Sequence, residues 1–202
     1  NADTALYHAK SRGRGCFAYF SEELTLATRL RIALETRLRL AIDQQELRVF
    51  YQPQIDIASG LIIGAEALVR WQNPTEGIIF PGNFIHIAEE ANLIIGIGAW
   101  VLQETCRQGR QWLDDGFPAL TLSVNVSPHQ FRRQDINALV ATVLSETGYP
   151  AGLLALEITE SGLMENQDKA MTILNDLRTQ GIRLAIDDFG TGYSSLAYLK
   201  YF

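Results

Sequence analysis

The feature that most narrows the possible folds is an alternation of strand-like and helical runs beginning at Leu47. Leu47–Gln54 (LRVFYQPQ) and Leu61–Arg70 (LIIGAEALVR) flank the turn formers Asp56–Gly60, which predicts an antiparallel hairpin. Asn73–Pro81 reads as a loop, and Asn83–Asn92 and Gly98–Leu113 read as helices, the second ended by Asp114-Asp115-Gly116. Then come a strand over Leu120–Ser127, a helix over Phe131–Thr147, a strand over Leu153–Thr159, a helix over Gln167–Gln180 and a strand over Ile182–Asp188. Repeated strand–helix units predict a parallel sheet with helices packed outside it, an α/β domain of barrel type. The 202 residues suffice for one sizeable core but fall short of the ~250 typical of a complete (β/α)₈ barrel.

Ahead of this region, Glu22–Gln45 predicts a helix, with Leu26, Leu30, Leu34, Leu38 and Ile42 at four-residue spacing. Glu35 and Arg39 are placed to pair on its surface. Its position between two units reads as a connector, with a dimer seam as the alternative. Residues 1–20 hold a short helical stripe (Ala5, Leu6, Ala9), a break at Ser11–Gly15 and a strand-like run over Cys16–Phe20, too little to fold alone. Asn1 does not read as a natural start, so a membrane sensor can sit upstream.

The net charge of −6, with no run of Lys and Arg, argues against duplex nucleic acid as a partner. Cys16 and Cys106 make neither a disulfide framework nor metal-ligand spacing, and read as free thiols of a reducing cytoplasm. Leu93–Trp100 is too short and glycine-broken to span a bilayer, and the N-terminus has no signal-peptide pattern.

Strand parity locates the chemistry. In Leu120–Ser127, Leu122, Val124 and Val126 face one way and Ser123, Asn125 and Ser127 the other. A polar row on a parallel strand suggests the polar end of a barrel lumen. By the same rule Ala155, Glu157 and Thr159 face inward, and Glu66 shares a face with Leu68 and Gly64. Glu66, Asn125, Glu157, Asp187 and Asp188 are thus oxygen donors offered by four strands, and such hard donors suit Mg²⁺ or Mn²⁺ rather than zinc. Acids crowded without a cation raise one another's pKa, a conflict that a metal resolves. Two metals ~3.5–4 Å apart activate water and brace both oxygens of a phosphoryl displacement. Taken singly, each residue is more often a strand-edge or loop-capping polar group than a metal ligand; the repetition on four strands carries the metal reading.

Other patterns fail. Asp188-Phe189-Gly190 imitates the kinase magnesium motif without its glycine-rich loop, catalytic loop or strand lysine. His8, His86 and His129 are scattered, against a zinc or histidine-based site, and Ser194-Ser195 lacks a nucleophile elbow.

From about Leu34 the chain resembles the EAL domain, the cyclic di-GMP phosphodiesterase family. The signature stands as Glu66-Ala67-Leu68, preceded by YQPQ (Tyr51–Gln54) and followed by SVNVS (Ser123–Ser127), LEITE (Leu156–Glu160) and DDFGTGYSSL (Asp187–Leu196). Five motifs in order are highly specific. The resemblance implies a TIM-type barrel with an antiparallel first strand, of which about the first five strands are here. It also implies cleavage of cyclic di-GMP to linear pGpG with Mg²⁺ or Mn²⁺ in a two-metal site. Glu66, Asn125, Glu157 and Asp187 would be metal ligands, and Asp188 would hold the second metal. Gln52 and Arg70 would contact phosphates, and Glu160 with the Phe189–Ser195 loop would link the metal site to a homodimer interface.

Residues 1–20 (ADTALYHAKSRGRG from Ala2) resemble the C-terminal end of a GGDEF domain, the diguanylate cyclase family, with Gly15 where that family usually has Asn. In that family the positions of Lys10 and Arg14 contact substrate phosphates, and the cyclase signature loop is absent here. The domain reading is therefore a remnant over 1–20, a connector over 21–33, and an incomplete EAL domain over 34–202. The family's catalytic lysine, a later metal-binding glutamate and a ligand-contacting glutamine are expected beyond Phe202. Two other functions fit the same motifs: a catalytically inactive cyclic di-GMP receptor, and a regulatory module controlling an attached cyclase.

Overall fold

The computed structural model describes residues 22–159 and 167–187. Helix α1 (Glu22–Asp43) leads into a hairpin of β1 (Leu47–Ile55) and β2 (Ile62–Asn73). A short β3 (Gly77–Ile79) follows, then α2 (Ile85–Glu90), α3 (Ile94–Asp114), β4 (Thr121–Val126), α4 (Pro128–Arg133), α5 (Ile136–Thr147), β5 (Leu154–Thr159), α6 (Gln167–Thr179) and β6 (Arg183–Asp187). The main path of the sheet is β1-β2-β4-β5-β6, and β3 pairs with β2. β1 is antiparallel to β2, whereas β2, β4, β5 and β6 are parallel and stepwise adjacent. That single direction of stepping is the wall of a (β/α) barrel, with the predicted antiparallel first strand.

Local chemistry explains the hairpin. The Asp56 carboxylate accepts from the Ser59 amide at 3.0 Å, and Gly60 turns the chain at φ +70°. The outward rows of the strands, among them Ala67, Trp71, Leu122, Val124, Leu154, Leu156 and Ile158, are buried in one core with Ile97, Val101 and Cys106 of α3 and Val140 of α5.

Several boundaries differ from the sequence expectations. The stretch 73–81 is not all loop: β3 pairs Gly77, Ile78 and Ile79 with the end of β2. The helix expected over 83–92 is a 3-10 turn over Pro81–Asn83 followed by α2. α3 begins at Ile94 rather than Gly98; Gly98 lies within it, at a point where a Cβ would collide with the Gln130 side chain. The helix expected over 131–147 is two helices. Ser127 caps α4 by accepting from the Gln130 amide, and Asp135 starts α5 by accepting from Ala138 at 3.0 Å.

α1 runs unbroken through residues 33 and 34. Its stripe is not one buried seam: Leu38 is fully buried, whereas Leu26 and Leu30 are 59% and 62% exposed. Glu35 and Arg39 pair as predicted, and Arg31–Glu90 and Arg37–Glu76 bridges tie α1 to α2 and to the β2–β3 turn. Trp71 of β2 is fully buried beneath this end of α1. Its indole N–H donates to Glu46 at 2.8 Å, Arg37 lies 5.4 Å from its ring centroid, and Phe84 meets it edge-on at 6.1 Å.

Candidate active site

The inner face of the sheet is polar towards the C-terminal ends of the parallel strands. Registers place Gln52 opposite Glu66, Glu66 opposite Ser123, Asn125 opposite Glu157, and Thr159 opposite Asp187. The candidate donors therefore climb the wall: Asn125 stands two residues above the Glu66 level, level with Glu157, and Asp187 two residues higher again. This is the stagger that a barrel imposes on neighbouring strands.

Glu66 and Asn125 touch, the Asn125 Nδ2 donating to Glu66 Oε1 at 2.7 Å. That bond commits the amide nitrogen to β2 and turns the amide oxygen the other way, leaving it able to accept or to ligate. Glu157 is drawn into the same electrostatic unit. Burial raises its carboxyl above the ordinary range, a hydrogen bond with Ser123 pulls it partway back, and the Glu66 and Asp187 charges push it up again. Three carboxylates and an amide thus share one face, with at least one acid held at a cost when ionised. Among the described residues no three His, Cys, Asp or Glu side chains converge on one point as a closed metal cluster. The donor chemistry fits a hard divalent cation.

Gln52 is exposed on the inner face beside Glu66. Arg70 stands four residues beyond Glu66, at the rim, and its guanidinium lies 5.0 Å from the Phe80 centroid and 5.8 Å from that of Phe50. The structure thus brings Gln52, Glu66, Asn125 and Glu157 together, sets Asp187 one strand over, and holds Arg70 apart at the top. Asp188, Glu160, the Phe189–Ser195 loop, Lys10, Arg14 and Cys16 lie outside the described residues. The contacts that sequence reasoning missed are Ser123 on Glu157 and the two phenylalanines on Arg70. Ser123 was legible, being on the same parity row as Asn125; Phe50 and Phe80 carry no motif. A cavity of about 290 Å³ opens beside Asn125, but its wall is mainly apolar (Leu68, Val69, Ile94, Ile97, Val126), a lining unsuited to phosphate.

No helix among the described residues is long and apolar enough to cross a membrane. The profile of the EAL domain family matches residues 35–202. The chain is 42% identical over 200 residues to the bifunctional diguanylate cyclase/cyclic di-GMP phosphodiesterase MucR of Pseudomonas aeruginosa, covering 99% of this chain and 29% of that protein. It is 40% identical over 202 residues to the cyclic di-GMP phosphodiesterase PdeR of Escherichia coli, covering 100% of this chain and 30% of that one. The chain thus spans under a third of the length of these curated relatives. Among solved structures, the PaMucR phosphodiesterase in complex with c-di-GMP superposes with a TM-score of 0.80 at 43% identity, over 84% of this chain and 68% of that one. With five motifs in order on a partial barrel of matching topology, the chain belongs to the EAL domain family.

Proposed function

We propose that the protein carrying this chain hydrolyses cyclic di-GMP to linear pGpG with Mg²⁺ or Mn²⁺. The observation that carries the proposal is the hydrogen-bonded Glu66–Asn125 pair beside the Glu157 carboxyl, on the polar face of a fold whose relatives include cyclic di-GMP phosphodiesterases. Glu66, Asn125, Glu157 and Asp187 would hold the metals together with Asp188. Bound there, divalent cations supply a more acidic water and neutralise charge developing on the phosphoryl oxygens. The chain's own residues do the rest: Glu66 orients the Asn125 amide, Ser123 orients Glu157, and Gln52 and Arg70 seat the phosphates. A guanidinium fork matches phosphate oxygens in shape as well as charge.

Three further elements belong to this reading. Residues 1–20 are the end of a GGDEF domain, supported by the MucR alignment, which covers 99% of the chain. Glu160 and the Phe189–Ser195 loop couple the site to a homodimer interface. The domain works in the cytoplasm, where its second messenger is made.

The test incubates the intact protein with cyclic di-GMP and Mg²⁺ and follows pGpG by chromatography, beside a Glu66→Ala control. Metal-dependent pGpG that disappears in the variant is the expected result. Saturable binding of intact cyclic di-GMP without pGpG would refute hydrolysis and leave a receptor.

A further inference from the structure

We infer that Phe50 and Phe80 are positioning residues for Arg70, gripping its guanidinium from β1 on one side and from the residue after β3 on the other, so that it meets a ligand phosphate without first surrendering a carboxylate partner. The inference rests on the reading of Arg70 as a phosphate contact and adds how that contact is built.

Arg70 lies on the inner row of β2, near its C-terminal end, with β1 on one side and the chain leaving β3 on the other. Phe50 stands diagonally across β1, opposite Leu68, and Phe80 follows β3 directly. Diagonal neighbours lie within reach of aromatic and long side chains. The guanidinium carbon is 5.8 Å from one ring centroid and 5.0 Å from the other, both inside cation–π range. The rings are 45% and 59% exposed, and neither belongs to the buried core or its packed fringe, so core packing does not account for them.

Five other arginines show the alternative arrangement, a carboxylate partner. Arg31, Arg37, Arg39, Arg107 and Arg110 are each ion-paired to a carboxylate. Arg70 forms no salt bridge among the described residues; its one hydrogen bond runs from Nη1 to the Val69 carbonyl at 2.9 Å. A carboxylate partner would have to be displaced by an incoming phosphate, and the displaced charge would repel it. Aromatic faces restrain the guanidinium while leaving its charge and most of its N–H groups available. Arg48 stands directly opposite Arg70, but its Nη1 is spent on the Gln45 and Leu47 carbonyls, both at 2.7 Å. Of the two, Arg70 is the one left poised over the inner face.

The experiment measures steady-state hydrolysis and equilibrium binding of cyclic di-GMP by the intact protein and four variants: Phe80→Leu, Phe80→Tyr, Arg70→Ala, and the Phe80→Leu/Arg70→Ala double. Leucine keeps apolar bulk and removes the π face; tyrosine restores the face. Phe80→Leu is expected to weaken binding and raise KM about fivefold, with kcat changed less than about twofold, the signature of lost uniform binding. Phe80→Tyr returns both to near the parent value. In the Arg70→Ala background, Phe80→Leu is expected to change nothing further, because its effect runs through the arginine. An undiminished loss in that background would overturn the inference and make the ring a base-stacking contact of its own. A parent-like KM and affinity in Phe80→Leu, with Arg70→Ala impaired, would also overturn it while leaving the arginine's role intact. Unchanged binding in Arg70→Ala would refute the phosphate reading itself. Thermal melting of each variant separates these results from loss of folding.

Discussion

Replacing Asn125 by aspartate changes one atom's chemistry and should reverse the sign of a contact. In the parent, the amide donates to Glu66 at 2.7 Å. In Asn125→Asp at neutral pH that donor becomes a second carboxylate, which relaxes away to about 4 Å. Repulsion at that distance is about 1 kcal/mol in water and about 4 kcal/mol at an effective dielectric of 20. Asn125 is exposed and Glu66 half-buried, so the lower half of that range applies. Adding part of a lost charge-assisted hydrogen bond gives about 2–3 kcal/mol of destabilisation for the metal-free protein, or about 5–10 °C in Tm. The new carboxyl has a raised folded pKa, so the stability it contributes is complete below its unfolded value near 4 and is lost as pH rises through the folded value. The penalty should therefore be full at pH 7.5 and largely gone near pH 4, where the introduced carboxyl, once protonated, donates to Glu66 in place of the amide. Mg²⁺ should restore more stability to the variant than to the parent, since it neutralises the added charge. Thermal unfolding of the intact protein at both pH values, with and without Mg²⁺, reads all of this. An equal Tm loss under all four conditions would refute the electrostatic account of the Glu66–Asn125 pair.

Two other outcomes follow from the packing. Leu122→Ala empties a fully buried site between β4 and α3 and should cost about 2–5 kcal/mol, read as a lower urea midpoint at unchanged slope. Cys106 is fully buried, and burial pushes its thiol up to about 12, so iodoacetamide at pH 8 should leave it unmodified in the folded protein and label it after denaturation, as peptide mass spectrometry will show.

What could be read from the sequence follows from how local each signal is. The hairpin was legible because Asp56, Ser59 and Gly60 build its turn among themselves. The inner polar row was legible because strand parity is fixed, so Ser123 and Asn125 had to share a face opposite Leu122 and Val124. The break between α4 and α5 was missed because the apolar periodicity runs across it, and only the Asp135 cap divides it. The start of α3 was missed because Gly98 weakens helix propensity while being required by Gln130. β3 was missed because three largely exposed residues carry almost no pattern. The aromatic grip on Arg70 was invisible for a different reason: Phe50 and Phe80 meet Arg70 only through the antiparallel pairing of β2 with β1 and β3, a register that apolar periodicity along the chain does not report.

The attachment of α1 at Trp71 has a mechanical consequence. The helix has 22 residues, hence a length of about 33 Å, and its moorings to Trp71, Glu76 and Glu90 lie in its C-terminal two-thirds. A tilt of about 5° about the Arg37–Trp71 contact would swing the far tip, about 22 Å away, by about 2 Å, while the anchored end would move by a small fraction of that. Trp71 adjoins Arg70 and follows Glu66 by five residues on the same strand. The helix thus has the proportions of a lever with unequal arms: the exposed Leu26 and Leu30 sit on its long arm, and its short arm rests on the strand that carries Glu66 and Arg70.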